Sequence, residues 1–501
     1  MGMQKKKNRT KQVFSLAALL LMLITVFSCF GAAAASENEE QSNGTGKKYI
    51  IAMDTTFAPF EFEDSQGNRV GIDVELLEAI AKDQGFEYEA RAIGFDAALQ
   101  AVESGQADGI LAGCSITEER QKKMDFSTPY FDSGISMAVS KDNDSIQSYE
   151  DLRGKKVAVK VGTEGATLAN KLSEQYGFSV VTFDDSANMY EDVKLGNTAA
   201  CFEDYPVLGY AISQDIGLKL VGEKEAGSSY GLGVKKGQNA ELLQMFNDGL
   251  ENVKASGEYQ RILDSYISSG DGTAANVESN EGVNFFTLLG TTFPRFVQAA
   301  GVTLWITAVS LVFAVVLGLL FCALRLSKYK VLHAITRVYL WVIRGTPVIV
   351  QAFMIYFGIP KLLGFTMPVE VASIITLTLN AGAYLSEIFR SGIEAVDVGR
   401  SLGLPYMKTM QKVILPQAAR IVIPSVINQF IITLKDSSIL SVIGLAELTK
   451  VGKAIVAQNL ESFNTYLILA IYYLILVSLL TALSAVVERR LRRGKLKGKG
   501  N

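Results

Sequence analysis

AYLSEIFRSGIEAVDVGRSLGLPYMKTMQKVILPQAARIVIP, running from Ala383 to Pro424, decides how the chain is read. Long apolar runs lie on both sides of it, and inside it sit Arg390, Arg400, Lys408, Lys412 and Arg420. A basic, helix-forming segment held between two membrane spans belongs on the cytoplasmic side, where lysine and arginine collect. Roughly thirty residues are far more than a turn requires. Two readings follow: a solvated basic loop, or a helix-turn-helix offered to a soluble partner. The rest of the chain has to say what that partner is.

At 501 residues the chain exceeds a single core, and two or three domains are expected. Its 49% hydrophobic and 20% charged residues average two unlike halves. From about Lys47 to Gly270 it is acidic and rich in turn residues; from about Phe285 onward it is mostly apolar. A net charge of -3, with no basic stretch interleaved with aromatics, argues against nucleic acid as a partner. Four cysteines and one histidine form no CxxC pair and no Cys/His cluster, so no metal site is expected. His333 follows a basic loop and reads as an interfacial residue. No GxxxxGKS/T motif occurs, so the chain carries no nucleotide-hydrolysing loop of its own. Neither catalytic residues nor a cofactor are expected.

Lys5, Lys6, Lys7, Arg9 and Lys11 precede an apolar run from Val13 to Phe30 and then Gly31 to Ala35, the pattern of a secretory leader (1–35) cleaved after Ala35. Cys29 offers a lipoprotein alternative, which the bulky Phe27 disfavours. Residues 36–46 are polar and read as a flexible tether. KYIIA, Lys48 to Ala52, is a first strand, and Gly71 to Ala81 has apolar residues at helical spacing. Short strands and helices then alternate: a helix at Ala97 to Ser104, strands at Gly109 to Gly113 and Val157 to Val161, a helix at Thr167 to Tyr176. Strands at Val180 to Phe183 and Ala199 to Phe202 and a helix at Pro206 to Ile212 complete the series. This is an α/β pattern with parallel sheets in two lobes, joined by extended crossings at Tyr130 to Ser140 and Tyr230 to Lys235. Ligands in such folds sit beyond the carboxyl ends of the strands. One amphipathic helix over Glu241 to Tyr266 closes the soluble domain (47–267), and a Ser, Gly and Asn-rich linker (268–284) follows.

The membrane domain (285–488) shows five runs near the length needed to cross: Val302 to Leu324, about Val338 to Phe357, Val369 to Phe389, about Ile421 to Leu434 with its continuation, and Tyr466 to Val487. With the soluble domain exported, the basic loop of Arg325, Lys328, Lys330 and Arg337 falls inside, as do the loop at about 390–420 and the basic tail (489–501). The chain is thus expected to be a multi-pass plasma-membrane protein with its soluble domain outside.

DTTFAPFEFED, VGIDVELLEAIAK, GILAGCSITEERQKKMDFSTPYF, VAVKVGTEGATL and the pair Glu203-Asp204 resemble the family 3, polar-amino-acid class of bacterial solute-binding proteins, over about Lys47 to Ile267. The resemblance implies a two-lobed periplasmic-binding-protein-like domain that takes a free amino acid. A desolvated zwitterion needs both its charges paired. Arg120 would grip the carboxylate with two parallel bonds, donors at Gly113, Ser115 and Thr163 would complete that end, and Asp204 would accept from the ammonium. Phe57 and Phe95 would flank the aliphatic stem. Read alone, Arg120 is a solvated charge in a helix capped by Thr117, Phe57 and Phe95 are core, and Asp204 is a turn residue before Pro206. By the same resemblance Asp54 and Lys160 sit near the tip of the ligand side chain. A neutral amide can accept from Lys160 and donate to Asp54, whereas a charged tip meets a like charge. Glutamine is therefore expected, with asparagine or glutamate weaker, unless Glu203 pairs with Lys160 and changes the balance.

The membrane half resembles permease subunits of amino-acid ABC importers of the histidine/glutamine type. The carriers are LRLSK (Leu324 to Lys328), RGTP (Arg344 to Pro347), IYFG (Ile355 to Gly358), AYLSEIFR (Ala383 to Arg390), LPQA (Leu415 to Ala418) and KDSS (Lys435 to Ser438). In that family the basic loop docks on a separate ATPase, and here Gly399, Arg400, Ser401, Leu402 and Gly403 occupy the docking motif. The family pattern Gly-Gln-x-Glu-Ala-Ala-x-Ser-Leu-Gly is shortened by about five residues, which turns the following helical face by roughly 140° and shortens the helix by ~7 Å. The resemblance implies half of an importer: a homodimer in lipid, with cytoplasmic ATPase subunits supplying hydrolysis. Rival readings are an anchored amino-acid sensor whose permease half no longer transports, and a ligand-gated channel. A channel would carry its spans between the lobes and a filter such as TVGYG, and this chain has neither.

Overall fold

The strand read from KYIIA exists because its inward side chains are apolar: Ile51, Ala52 and Met53 are wholly buried. The computed structural model describes residues 47–64, 67–267, 284–327, 329–396, 406–459 and 462–497. The leader, the tether, nearly all of the linker, and Gly399, Arg400, Ser401, Leu402 and Gly403 lie outside these residues.

Lobe 1 is built, in chain order, from β1 (Lys48–Met53), β2 (Phe62–Glu63), β3 (Arg69–Val70), α1 (Ile72–Gln84), β4 (Glu87–Ala92), α2 (Phe95–Ser104), β5 (Gly109–Ile110), α3 (Glu118–Gln121) and β6 (Met124–Phe126). Lobe 2 holds β7 (Phe131–Ser140), β8 (Lys156–Lys160), α4 (Glu164–Tyr176), β9 (Ser179–Phe183), α5 (Ser186–Lys194), β10 (Ala200–Asp204), α6 (Tyr205–Ser213) and β11 (Leu218–Tyr230). The chain returns to lobe 1 as β12 (Gly233–Lys235), α7 (Ala240–Ala255) and α8 (Glu258–Tyr266). Among the described residues the lobes carry sheets of order β4-β1-β5-β12-β6 and β11-β7-β10-β8-β9.

These sheets are mixed, not parallel. β1 runs parallel to β4 and β5, and β8 to β9 and β10. β12 is antiparallel to β5 and β6, and β7 is antiparallel to β10 and β11. The exceptions are the strands that cross between lobes, which arrive without a crossover helix and pair head to tail. At the crossing, Tyr130 N donates to Tyr230 O and Ser127 N to Leu232 O, each at 2.9 Å. Phe60 packs edge-on against Phe131 and Tyr230, with ring centroids 5.0 and 5.2 Å away.

Two further expectations are corrected. The strand after Gly109 is shorter than read, ending at Ile110. The single helix over Glu241 to Tyr266 breaks into α7 and α8 at Gly257, whose φ of 84° no longer continues a right-handed helix.

The membrane half comprises α9 (Phe285–Arg325), α10 (Lys330–Gly345), α11 (Val348–Phe353), α12 (Ile359–Leu363), α13 (Val369–Glu394), α14 (Tyr406–Thr409), α15 (Leu415–Asp436), α16 (Leu448–Asn459) and α17 (Ser462–Lys497). Among the described residues four stretches are long and apolar enough to cross a membrane: Phe285–Arg325, Val369–Glu394, Met410–Ile443 and Ser462–Arg489. The run read as a straight span over Val338 to Phe357 is instead a pair, Lys330–Gly345 and Val348–Leu363, bent by 109°. Pro347 causes the break, because it has no N–H for the preceding turn. Gln351 repairs the ends by donating to Ile343 O at 2.8 Å and Thr346 O at 3.0 Å.

Packing shows that the bent pair returns the chain along the bundle. α9 and α13 run side by side in the same direction. Thr378 reaches Ser310 O, Gly318 lies so close to Leu385 that a Cβ would sit 2.8 Å from its Cβ, and Arg325 pairs with Glu387. Residues between Arg325 and Val369 must therefore return the length of the bundle.

Lobe 1 sits on the end of the bundle where α9 and α13 begin. Ile93 and the α2 residues Ala97, Ala98 and Ala101 share one apolar cluster with Ala352, Tyr356, Leu440 and Ile443. Around it, Arg295 pairs with Glu63, Lys450 Nζ donates to Ala92 O, and Met367 N donates to Gln106 Oε1 at 2.9 Å. Lobe 2 meets the bundle at Tyr466, whose hydroxyl donates to Asn188 Oδ1 at 3.2 Å.

Candidate functional site

Strand ends bring the charged residues together between the lobes. Asp54 follows β1, Lys160 ends β8 and Asp204 ends β10, while Phe95 opens α2 and Thr163 caps α4. Lys160 of lobe 2 forms an ion pair with Asp54 of lobe 1, and both side chains are 1% exposed. The Lys160 ammonium lies 5.4 Å from the Phe57 ring centre. Burial lowers its affinity for a proton, but Asp54, then Glu203 and Glu61, outweigh that and hold its pKa above the ordinary lysine value.

Arg120 makes a second bridge. Its Nη1 donates to Ser115 O at 2.8 Å, its Nη2 donates across the cleft to Gly162 O at 3.0 Å, and its guanidinium lies 5.1 Å from the Phe95 ring centre. Thr117 Oγ1 accepts from Arg120 N at 3.2 Å, so the capped-helix reading holds for its backbone. The side chain nevertheless turns into the cleft. All nine residues singled out from the sequence lie about this junction.

Two of them act differently from their expected donor roles. Gly113 N already donates to Asp73 Oδ2 at 2.8 Å, which leaves its carbonyl as the group to offer. Gly113 has φ +50°, and a Cβ there would come within 2.1 Å of Phe57 Cε1, so only glycine fits. Thr163 Oγ1 donates to Lys160 O at 2.8 Å and accepts from Ala166 N at 3.2 Å, so its hydroxyl is spent on the N-cap.

Asp204 is 4% exposed and accepts from Ser133 Oγ at 3.3 Å. Burial, then the neighbouring Glu203 and Glu164, push its pKa up to about 8. Glu203 does not bond Lys160. Its Oε2 accepts from Ser186 Oγ at 2.8 Å, on the first turn of α5. Sequence reasoning missed Ser133 and Tyr230 beside Asp204, and Glu61 and Asp73 behind Gly113. The latter two carried a signal: acids within otherwise apolar runs, FEF and GIDV.

A hinged, two-lobed clamp with charge-pairing groups at the strand ends, seated on a bundle of apolar helices, is the architecture of a solute-binding module joined to its membrane component. Residues 49–269 match the family model of bacterial extracellular solute-binding proteins, family 3, and residues 310–493 that of the binding-protein-dependent transport system inner membrane component. The chain is 35% identical over 204 residues to the arginine transport system permease protein ArtQ of Bacillus subtilis, covering 40% of this chain and 93% of that one. It is 35% identical over 205 residues to the glutamine transport system permease protein GlnP of Escherichia coli K12, covering 40% and 94%. It is also 32% identical over 250 residues to the arginine-binding extracellular protein ArtP of Bacillus subtilis, covering 50% and 97%. The chain belongs to the amino-acid ABC importers, with solute-binding protein and permease fused in one integral membrane polypeptide.

Proposed function

We propose that this fusion binds glutamine in the cleft and passes it through the permease half, with a separate ATPase supplying energy. Arginine and glutamine both occur in the names of its relatives, so cleft chemistry has to choose. The observation that carries the choice is the buried Asp54–Lys160 pair bridging the lobes. A neutral amide can insert there, accepting from Lys160 and donating to Asp54, and leaves both charges paired. A guanidinium would confront Lys160 in a dry site, where like charges are strongly penalised. Arg120 would take the carboxylate and Asp204 the ammonium, Phe57 and Phe95 would hold the stem, and Ser115, the Gly113 carbonyl and the backbone at Thr163 would complete the shell.

Clamp and bundle sit end to end, with Arg325 and Arg390 at the far end of α9 and α13. That arrangement supports an outward clamp with the basic loop of 390–420 on the cytoplasmic side. Five crossings per chain support a homodimer around one pathway, with the loop as the ATPase-docking element.

Calorimetry on the full-length protein tests the ligand. Glutamine should bind tightest, asparagine and glutamate more weakly, and arginine little or not at all; tight arginine with silent glutamine would overturn the choice. The pH series follows from Asp204. Below about pH 8 its carboxyl is mostly protonated in the free cleft, and an ammonium ligand needs it ionised. Binding should therefore release a proton, and affinity should rise up to about tenfold per pH unit towards pH 8 and then level. Asp204→Asn should flatten that slope. An affinity indifferent to pH between 6 and 8 would remove Asp204 from the ammonium end.

A second reading rests on the shortened loop, where Gly399 runs straight into Arg400 and Ser401. It makes the chain an anchored sensor that binds but does not transport. Reconstitution with an ATPase separates the two: glutamine-stimulated hydrolysis by the natural chain supports the importer, and stimulation only after restoring about five residues supports the sensor.

A further inference from the structure

Behind the cleft wall of lobe 1 lie two carboxyls that the ligand scheme does not use. Glu61 and Asp73 are both 0% exposed, and their carboxyls face one another with the Tyr130 hydroxyl beside them. Among the described residues no donor reaches either Glu61 oxygen or Asp73 Oδ1 with hydrogen-bond geometry. Asp73 Oδ2 accepts from Gly113 N at 2.8 Å. A fully buried carboxylate without a donor is costly, and two in contact cannot both ionise.

We propose that Glu61 and Asp73 share one proton, and that this pair is a positioning element fixing the Gly113 peptide and the Phe57 turn as the lobe 1 wall of the amino-acid cleft. With the proton on Glu61, its O–H donates to Asp73 Oδ1. Asp73 keeps its negative charge, directed through Oδ2 at the Gly113 N–H. Glu61 is bound at the other side to the turn that carries Phe57: Phe57 N donates to Glu61 O at 3.0 Å, and Glu61 N donates to Phe57 O at 3.1 Å. The pair thus ties together two walls that tolerate almost no relative movement, because Gly113 has no room even for a methyl group beside Phe57. Charges facing Glu61 from other elements are Asp54 after β1, Lys160 on β8 and Arg69 on β3. Burial first, then Asp73 and Asp54, drive the Glu61 carboxyl well above the usual carboxylate range, and Lys160 opposes them.

The inference rests on the cleft being the amino-acid site, and its test separates the two. Full-length protein in lipid nanodiscs is titrated with glutamine as wild type, Glu61→Gln and Glu61→Met. Gln keeps a donor for Asp73 and should bind within about fivefold of wild type, whereas Met has similar length but no donor and should lose at least about tenfold. Difference infrared spectra of wild type against Glu61→Gln should show the carbonyl stretch of a protonated carboxylic acid at pH 7. Equal binding by the Gln and Met variants would reduce Glu61 to filler and overturn the proposal. Absence of the acid band, which needs no ligand, would overturn it as well. Silence of the wild type towards every amino acid, with the acid band present, would instead strike the cleft reading and keep the shared proton.

Discussion

Lys160→Met should cut glutamine affinity roughly 10²- to 10⁴-fold and at the same time open the cleft to arginine and lysine. Lys160 and Asp54 are each 1% exposed in the closed clamp, so removing the ammonium strands a buried carboxylate. Breaking one partner of such a pair costs about 3–5 kcal/mol, far more than the net worth of the intact pair. Lys160 comes from the opposite lobe, so the penalty falls on the contact between lobes, and the variant clamp should rest open. A ligand with a cationic tip supplies the missing partner from its own side chain and recovers much of the loss. Calorimetry with glutamine, arginine and lysine against the full chain reads both halves of the expectation. Unchanged glutamine affinity, or a loss with no gain for either cation, would show that the pair is a structural latch with no say in specificity.

That pair also shows how far the sequence reaches. Local periodicity placed β1, α1 and the strand ending at Lys160, because hydrophobic spacing is a property of neighbouring residues. Asp54 and Lys160 could be assigned to the ligand tip only through the resemblance, since 106 residues separate them and no spacing rule joins them. Strand direction was not legible for the same reason: β7 and β12 look like any other strand until the crossing between lobes reverses them. Gly257 and Pro347 were visible as residues, but a glycine or proline inside an apolar pattern predicts a break only as an option. Asp73 was hidden by a plausible ordinary role, since an acid in the first turn of a helix needs no further explanation. Only its burial against Glu61 shows that it serves Gly113 instead. Glu203 illustrates the reverse. Its position beside Asp204 made a bond to Lys160 reasonable, yet the first turn of α5 supplies Ser186 as a nearer donor.

Arg120→Ala should weaken binding of every amino acid alike, by about 3–5 kcal/mol or roughly 10²- to 10⁴-fold, without changing the order of preference. In the proposed scheme the guanidinium takes the carboxylate, the part that all amino acids share. Losing it leaves a ligand carboxylate buried without its forked donor, and Arg120→Lys should recover only part, because a point-charge ammonium cannot form two parallel bonds. The fold should survive, since the α3 cap runs from Arg120 N to Thr117 Oγ1 and alanine keeps that N–H. The lobes should also part more readily, because Nη2 no longer reaches Gly162 O across the cleft. Set beside Lys160→Met, this gives opposite signatures from the two ends of one cleft: a uniform loss at the carboxylate end and a changed ranking at the side-chain end. Titrating both variants with the same panel of amino acids is the check. If Arg120→Ala loses glutamine but keeps arginine, the two ends have been assigned the wrong way round.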